Sequence, residues 1–259
     1  MQLPPGAIPA DWPAPPGVHG FQSTRAGGTS VGAFGAPGGG GLNLAFGQDD
    51  PSCVQANRAR LRAFLPAEPS WLAQVHGTRV VDAGEVDPGA PPQADASWTT
   101  RPGVVCVVMV ADCLPVLLCD AQGRGVAAIH AGWRGLAAGV LQQGAHALRA
   151  AIGDPGASLH AWMGVAIGPR DFEVGPEVRA AMGAALPGAE QDFVAGRGDR
   201  WLGDLYGLAR RALAQADVRS VHGGGASTAA DPARFYSHRR DAGRTGRQAA
   251  FAWMEAPRP

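Results

Sequence analysis

Two side chains with chemical potential lie close together in the most apolar part of this 259-residue chain. Cys113 lies in the sequence ADCLP, and His130 follows seventeen positions later, at the end of an apolar run. A thiol and an imidazole can share a metal ion, act as a nucleophile and its base, or fill a core. These two residues alone leave all three interpretations open.

A zinc site needs a third donor. Catalytic zinc is commonly held by three nitrogen, sulfur or oxygen ligands, and its fourth position stays open to water or substrate. His76, in the sequence QVHG, would complete a set with Cys113 and His130, because each of the three follows an apolar segment and precedes a turn. A lone His or Cys at a strand end is more often a buried structural residue than a ligand. The pattern favours metal binding and a structural role about equally.

The sequence HAGWRGL contains a candidate anion site. Gly132 and Gly135 permit a tight turn from strand to helix, where free N–H groups could act together with Arg134 on a phosphate or carboxylate. In the alternative interpretation the glycines allow close packing, Trp133 fills the core and Arg134 is solvated.

Arginine is the only basic residue type besides histidine. The absence of lysine excludes Schiff-base catalysis and a lysine-containing phosphate loop. Arg25 and the pair Arg239 and Arg240 are candidates to converge on the same anion, although Asp241 could instead neutralise the pair. An anion site therefore depends on where the chain brings these arginines.

The candidate residues lie where predicted strands end. The segment 103–120 is apolar and β-branched, which indicates strands buried on both faces, interrupted at ADCLP by a proline that cannot continue a central ladder. A second buried strand is predicted to end at His130 and to be followed by a helix over 134–153. The segment 71–81 is typical of a strand broken at His76 and Gly77. The three donors could therefore meet at the rim of a sheet.

The remaining segments predict a layered fold. The glycine-rich segment 26–47 is predicted to be a loop. Strands and helices mix without a regular βαβ alternation or an internal repeat, so we expect a layered α/β sandwich and not a doubly wound sheet. Further helices are predicted over 52–65 with Ser52 as N-cap, 176–186 and 201–216, and further strands over 159–169, 234–241 and 247–254.

Composition limits the class of protein. An apolar fraction of 46% and a charged fraction of 17% are typical of a globular protein with a sizeable core, and the length fits one large domain. Zero net charge without a basic stripe argues against nucleic-acid binding. No apolar run reaches the roughly 18 residues of a membrane span, and the proline-rich start lacks signal-peptide features. The four cysteines form no C-x-x-C pair, so we expect free thiols and a cytoplasmic location.

A series of motifs covers nearly the whole chain, from about Phe21 to Trp253, and the most specific are ADCLP and HAGWRG. The others are STRAGGTS, LNLAFG, NRARL, QVHGTRVV, ADASWTT, AIGP, FEVGPEV, DLYGLAR and FYSHRRDAGRTGRQ. In this order they resemble the YfiH-like family, which has carried the names multicopper polyphenol oxidase, laccase-domain protein, peptidoglycan editing factor and purine nucleoside phosphorylase.

The resemblance implies a single-domain, four-layer α/β/β/α sandwich with mixed sheets, similar to the catalytic domain of cytotoxic necrotizing factor. We expect a proline-rich segment over 1–20 and one catalytic domain over 21–259. The resemblance also implies zinc held by His76, Cys113 and His130, with any copper adventitious. Family members often have cysteine where this chain has Arg170 and Ser227, so we expect no role for additional thiols.

The resemblance further implies phosphorolysis of adenosine, inosine, guanosine or methylthioadenosine, with adenosine deamination as a second activity. The expected ligands are a purine nucleoside and phosphate, without nucleic acid or membrane, bound by a monomer or small homo-oligomer. The three zinc ligands would be catalytic, and Asp112 is a candidate proton carrier. The expected substrate-binding residues are Arg25, Asn43, Gln74, Arg134 and Arg239.

Two alternatives stay open at this point. Cys113, activated by His130, could attack an amide or ester, as in a hydrolase that edits peptidoglycan precursors. A metal-stabilised binding protein without catalysis is the other class. We reject a laccase mechanism, because multicopper oxidases hold about four coppers mainly through imidazoles. The seven histidines of this chain include no His-x-His pair.

Overall fold

Two β-sheets packed face to face form the centre of the computed structural model, which describes residues 2–256. The larger sheet has six strands: β4 (Val80–Asp82), β5 (Ala96–Thr99), β7 (Leu114–Asp120), β8 (Val126–Ala131), β9 (Leu159–Met163) and β13 (Ser220–Gly223). Their order is β13-β9-β7-β8-β5-β4. The smaller sheet has the order β1-β2-β14-β6, from β1 (Ile8–Pro9), β2 (Val18–Gln22), β6 (Cys106–Val110) and β14 (Gln248–Met254).

Helices cover the outer face of each sheet. The smaller sheet packs against α1 (Pro51–Arg62), and the larger sheet packs against α2 (Trp133–Ala137), α3 (Val140–Ile152), α4 (Pro176–Ala185) and α5 (Leu205–Gln215). A small sheet of order β10-β12-β11 lies beside these helices and comprises β10 (Glu173–Val174), β11 (Phe193–Ala195) and β12 (Trp201–Gly203). The four layers confirm the predicted α/β/β/α sandwich with mixed sheets.

Strand β7 shows how sequence produces these layers. Its side chains alternate between faces, so Val116 and Leu118 pack against the helices while Leu117 and Cys119 pack between the sheets. All seven residues of β7 are buried, as predicted for a strand covered on both faces.

The prediction that the proline of ADCLP interrupts the strand is wrong, because Pro115 is the second residue of β7 and pairs with His130 in β8. A proline is tolerated there because the His130 N–H bonds to the Asp95 carbonyl at 2.7 Å, and the Pro115 carbonyl accepts the Gly164 N–H at 2.9 Å. The interruption lies at residues 111–113, where the chain crosses from β6 in one sheet to β7 in the other.

Two predicted helices differ in detail from the structure. The first begins after Asp50, whose carboxylate accepts the Ser52 N–H at 2.8 Å, so Asp50 and not Ser52 is the N-cap. The helix predicted over 134–153 is divided into α2 and α3 at Gly139, which has a left-handed φ of 90°.

Other segments depart further from the sequence prediction. Residues 201–203 form β12, and α5 begins only after Asp204, whose side chain caps it. The segment 234–241 forms turns and no strand, and 71–79 contains a single isolated bridge, at Ala73. The glycine-rich segment contains β3 (Ala26–Ser30) and a 3₁₀ turn, Gly32–Phe34. The Asn57 amide in α1 ties this segment down by donating to the carbonyls of Gly41 and Asn43, a constraint that glycine content does not reveal.

The N-terminal segment packs on the smaller sheet. Strand β1 pairs with β2, and β2 runs across the predicted domain limit at residue 20, which stays a prediction. The outermost limits of the predicted domains, residues 1 and 259, lie outside the described part of the chain. No helix among residues 2–256 is both long enough and apolar enough to cross a membrane.

Candidate metal centre and active-site cavity

Three neighbouring strands bring their chemically active residues to one end of the larger sheet. His130 is the penultimate residue of β8, and Cys113 immediately precedes β7, whose first residue pairs with the last of β8. Asp95 immediately precedes β5, which pairs with β8 on its other side. Because β5 and β7 both run antiparallel to β8, the residues before them lie beside the end of β8.

The structure brings the three predicted ligands together. The donor atoms of His76, Cys113 and His130, here called the metal-donor cluster, all lie within 4.8 Å of one another. Cys113 Sγ lies 3.7 Å from His76 Nε2, and the two imidazole rings meet edge to face with centroids 4.8 Å apart. His76 is exposed, Cys113 is partly exposed and His130 is buried. Within residues 2–256 this is the one group of three or more His, Cys, Asp or Glu side chains whose donor atoms converge.

A fully buried carboxylate lies behind the cluster. Asp95 Oδ1 is 2.8 Å from His130 Nδ1, and the same carboxylate accepts the N–H groups of Val75, His76 and Gly77 at 3.2, 2.9 and 2.7 Å. Burial opposes ionisation, but these hydrogen bonds together hold the pKa of Asp95 below its usual value. Asp95 lies in the motif ADASWTT, and its role was not predicted from the sequence. The available signal was an aspartate directly before a buried strand.

The turn that carries His76 is strained and tightly packed. His76 has a φ of 61°, in the left-handed region that non-glycine residues rarely adopt. Gly132, between β8 and α2, lies against its ring: a Cβ there would be 2.7 Å from His76 Cδ2 and 3.1 Å from Cys113 Sγ. A glycine is therefore required at this position for the cluster to close.

The electrostatics of the cluster favour a thiolate. Burial opposes the thiolate of Cys113 and the imidazolium of His130. The charge of His130 and hydrogen bonds from His130 and His76 nevertheless lower the pKa of Cys113. Conversely, the charges of Cys113 and Asp95 raise the pKa of His130 despite its burial. Since the thiolate is the form of cysteine that binds metals and acts as a nucleophile, Cys113 is prepared for either role.

The metal-donor cluster opens into a cavity of about 670 Å³, which is within the range of small-molecule sites. Its walls are mainly apolar and aromatic. The apolar lining includes Phe34, Phe46, Leu72, Met109, Trp133, Ile167, Phe172 and Leu205, and the polar lining includes Asn43, Gln48, Gln74, Asp112, Arg134, His238, Arg239, Thr245 and Arg247.

Three arginines line this cavity. The Arg134 guanidinium stacks 4.5 Å from the Trp133 ring centroid and makes no hydrogen bond or ion pair within the described chain. Arg239 donates from its side chain to the Glu173 carbonyl at 2.7 Å. Arg247 donates to the Thr245 and Gly246 carbonyls, each at 3.0 Å, and burial lowers its pKa. Sequence reasoning missed Arg247, although it lies in the quoted motif GRTGRQ.

Two other predicted arginines lie elsewhere. Arg25 does not line the cavity, because its guanidinium donates to the Gly35 and Pro232 carbonyls and lies over the Tyr236 ring. Arg240 is also absent from the lining and forms an ion pair with Asp241, the neutralisation that the sequence analysis kept as an alternative.

The predicted polar contacts Asn43 and Gln74 line the cavity, but their side chains are engaged by backbone. Asn43 Oδ1 accepts the N–H groups of Ala45 and Arg247, at 3.1 and 2.8 Å. Gln74 pairs with both the N–H and the carbonyl of Met109, at 2.7 and 2.8 Å. These two residues therefore shape the cavity wall and have little hydrogen-bonding capacity left for a ligand.

The candidate proton carrier Asp112 also lines the cavity, with a left-handed φ of 83°. Its two carboxylate oxygens accept the Thr228 hydroxyl and the Arg239 N–H, which joins distant segments of the chain. Ser227, next to Thr228, accepts the Gly168 N–H at 3.0 Å and donates to Asp171. Ser227 lies outside the cavity lining, as does Arg170, which is exposed.

The fold and the site define a class: a mixed α/β sandwich with a three-donor cluster that could hold a metal ion, open to a cavity large enough for a small molecule. A family profile described as multi-copper polyphenol oxidoreductase laccase matches residues 19–255, and the chain belongs to this family. The resemblance to YfiH-like proteins is confirmed.

The chain is similar over almost its full length to curated proteins. A purine nucleoside phosphorylase of Pseudomonas aeruginosa is 51% identical over 247 residues, which cover 95% of this chain and 97% of the relative. Purine nucleoside phosphorylase YfiH of Escherichia coli is 47% identical over 251 residues, with coverage of 95% and 98%. Among solved structures, a Neisseria meningitidis protein of the family DUF152 superposes with a TM-score of 0.89 at 42% identity, covering 97% of this chain and 100% of the other.

Proposed function

We propose that this protein is a zinc-dependent purine nucleoside phosphorylase that acts on adenosine, inosine, guanosine and methylthioadenosine. The observation that carries the proposal is that one cavity of about 670 Å³ is lined both by the metal-donor cluster and by three arginines. The names of the relatives supply the substrate class, and the cavity offers an apolar volume for a base next to cationic groups for phosphate.

The donor set suits zinc better than a group of coppers. Two imidazoles and a thiolate are common zinc ligands, and three protein ligands leave a position open for a substrate atom. Bound there, zinc would supply Lewis-acid polarisation of that atom. A multicopper oxidase needs about four coppers, whereas the described residues bring together one three-donor group.

The arginines would bind and orient phosphate. Arg134 has no other hydrogen-bonding partner within the described chain, and Arg247 is part-buried, where its charge interacts more strongly than in water. Phosphate held by these two residues would attack C1′ of the ribose. The new O–C1′ bond would form as the bond from C1′ to purine N9 breaks, and its electron pair would leave with the purine, which takes up a proton.

The proton for the leaving purine is best assigned to His238. Asp112 already accepts a hydrogen bond on each of its two carboxylate oxygens, from the Thr228 hydroxyl and from the backbone N–H of Arg239. His238 lines the same cavity, and its imidazole makes no hydrogen bond within residues 2–256. An imidazole is a suitable general acid near neutral pH.

The decisive assay supplies adenosine and phosphate to the purified zinc-loaded protein. We expect adenine and ribose 1-phosphate, and arsenate should substitute for phosphate in releasing adenine. Release of no base, or of equal base without either anion, would contradict phosphorolysis. The same assay run without anion tests adenosine deamination at C6 through the formation of inosine and ammonia.

A cysteine hydrolase is the second candidate, and one observation favours it. Cys113 lies 3.7 Å from His76 Nε2, and its pKa is lowered by the neighbouring imidazoles. In metal-free protein a hydrolase would give a burst of acyl-enzyme with an amide or ester, and the burst would disappear in Cys113→Ala. A chain that binds zinc and nucleoside but turns over neither class of substrate would be a binding protein.

A further inference from the structure

We propose that Asp95 is a positioning residue that prepares two of the three metal donors at once. This inference rests on the metal site of the proposed function. It concerns the carboxylate behind the site, which binds neither substrate nor metal itself.

The first donor that Asp95 prepares is His130. Because Asp95 Oδ1 lies 2.8 Å from His130 Nδ1, the proton of a neutral imidazole is held on Nδ1 and Nε2 is left as the lone-pair donor. The Asp95 carbonyl also accepts the His130 N–H at 2.7 Å, so the backbone and the ring of His130 are fixed by one residue. A carboxylate in this position also makes the imidazole a stronger metal ligand.

The second donor is His76, nineteen positions earlier in the chain. Its left-handed φ of 61° is unfavourable for any residue other than glycine and persists only where the surrounding structure enforces it. Asp95 supplies that enforcement by accepting three successive N–H groups, from Val75, His76 and Gly77. These bonds turn the chain so that His76 Nε2 lies beside Cys113 Sγ.

The environment of Asp95 leaves the carboxylate no other role. Its side chain is fully buried, and no arginine forms an ion pair with it within residues 2–256. Its four hydrogen-bond partners are the three N–H groups of the His76 turn and the His130 ring. Every interaction of the carboxylate therefore holds a segment that carries a metal donor.

The test is the zinc affinity of Asp95→Asn, measured by competition with a chelator. The amide keeps the size of the carboxylate but presents an NH₂ group to at least one N–H, so the turn and the ring cannot both be held. We expect zinc affinity to fall by about 10- to 100-fold. Affinity within about threefold of wild type would overturn the proposal, since metal-supporting partners contribute more than this.

Asp120→Asn is the matched control. Asp120 is equally buried in the same sheet, and its carboxylate accepts the N–H groups of Gln122 and Arg124 and pairs with the Arg124 side chain. Both variants lose a buried carboxylate and should lower the Tm of metal-free protein, but only Asp95→Asn should weaken zinc binding. An equal loss of zinc affinity in Asp120→Asn would mean that general destabilisation explains the effect, and would overturn the positioning role.

A measurement on wild-type protein covers the case in which Asp95→Asn does not fold. In zinc-loaded protein with ¹⁵N-labelled histidine, His130 should bind the metal through Nε2 and carry its proton on Nδ1. Metal binding through Nδ1 would overturn the proposal. Failure of wild-type protein to bind zinc would instead refute the metal site. Wild-type protein that binds zinc but does not catalyse phosphorolysis would refute only the proposed reaction.

Discussion

Two clusters that contain histidine pairs lie at the larger sheet, one beside the ends of its strands and one on its strands, and their surroundings differ. In the first, His76 and His130 face the Cys113 thiol and open into the cavity. In the second, on β9 and the neighbouring edge strand β13, the Ser220 hydroxyl lies between His160 Nδ1 and His222 Nε2, at 2.8 and 2.9 Å. In the second cluster one ring nitrogen of each histidine is bonded to the serine between them, whereas the donor atoms of the first cluster lie within 4.8 Å of one another.

The charges around the two clusters differ as well, and they shift the pKa values of the histidines in opposite directions. Burial and the charge of His222 lower the pKa of His160, so its neutral form is favoured. Around His130 the charges of Cys113 and Asp95 outweigh burial and raise the pKa. Proximity of histidines is therefore insufficient for a metal site. The first cluster differs in having anionic neighbours, Cys113 and Asp95, beside His130.

The largest contrast between the clusters is expected in metal content. Wild-type protein should hold about one zinc per chain, because three donors converge at one point. Cys113→Ala should lose this zinc, and His222→Ala should retain it. Elemental analysis of the purified proteins checks both. Stoichiometric zinc in Cys113→Ala would show that Cys113 is not a ligand. Loss of zinc in His222→Ala would place the metal at the second cluster.

The next largest contrast is expected among cysteines. In metal-free native protein at pH 7, iodoacetamide should modify Cys113 at least about 100-fold faster than Cys106 or Cys119, because only the thiolate reacts. The pKa of Cys113 is lowered below its ordinary value of 9, so thiolate is present at lower pH than usual, whereas burial raises the pKa of the other two to about 12.

Mass spectrometry of the modified peptides measures these rates, and added zinc should protect Cys113. If modification of Cys113 rises only as pH approaches 9, its neighbours do not stabilise the thiolate.

The cavity beside the metal-donor cluster is a further difference from the second cluster. Arg134→Ala should raise the KM for phosphate about tenfold or more while zinc content stays at wild-type level, because a charge-assisted contact contributes about 1.5–3 kcal/mol. Arg219→Ala is the control, since Arg219 is exposed and its one partner among residues 2–256 is Asp217. An unchanged KM in Arg134→Ala would remove Arg134 from the phosphate site and leave Arg247 and Arg239 as its candidate ligands.

The smallest expected effect is at the serine of the second cluster. Ser220→Ala removes the hydroxyl between His160 and His222, and should cost about 1 kcal/mol of unfolding free energy. Zinc affinity and phosphorolysis should not change. Urea denaturation measures the stability, and a weaker zinc affinity in this variant would show that the two clusters are coupled.

The layers were predictable from the sequence because each buried strand is marked by its own run of apolar residues. The segments that became β7, β8 and β14 are apolar enough to require cover on both faces. The assignment of neighbouring strands to different sheets was not predictable, since β6 and β7 are equally apolar. The turns at 234–241 were mistaken for a strand because Phe235 and Tyr236 are buried aromatic residues, which are common in strands.

The site was predictable only in part. The three donors were found from residue type, position at strand ends and resemblance, and the structure brings them together. Asp95 was missed because its partners lie 18 to 35 positions away. Arg25 was chosen and Arg247 overlooked because sequence does not reveal whether a guanidinium faces a carbonyl or a cavity.

The sequence by itself determined which chemistry is available: imidazoles, one thiol at a strand end, arginines without lysine, and no His-x-His pair. The tertiary structure decided which of these groups act together. It joined His76 to His130 through Asp95, placed Arg134 and Arg247 in one cavity, and satisfied His160 and His222 with a serine. The reason is that hydrogen bonds and charge interactions depend on distance and direction in space, which separation along the chain does not fix.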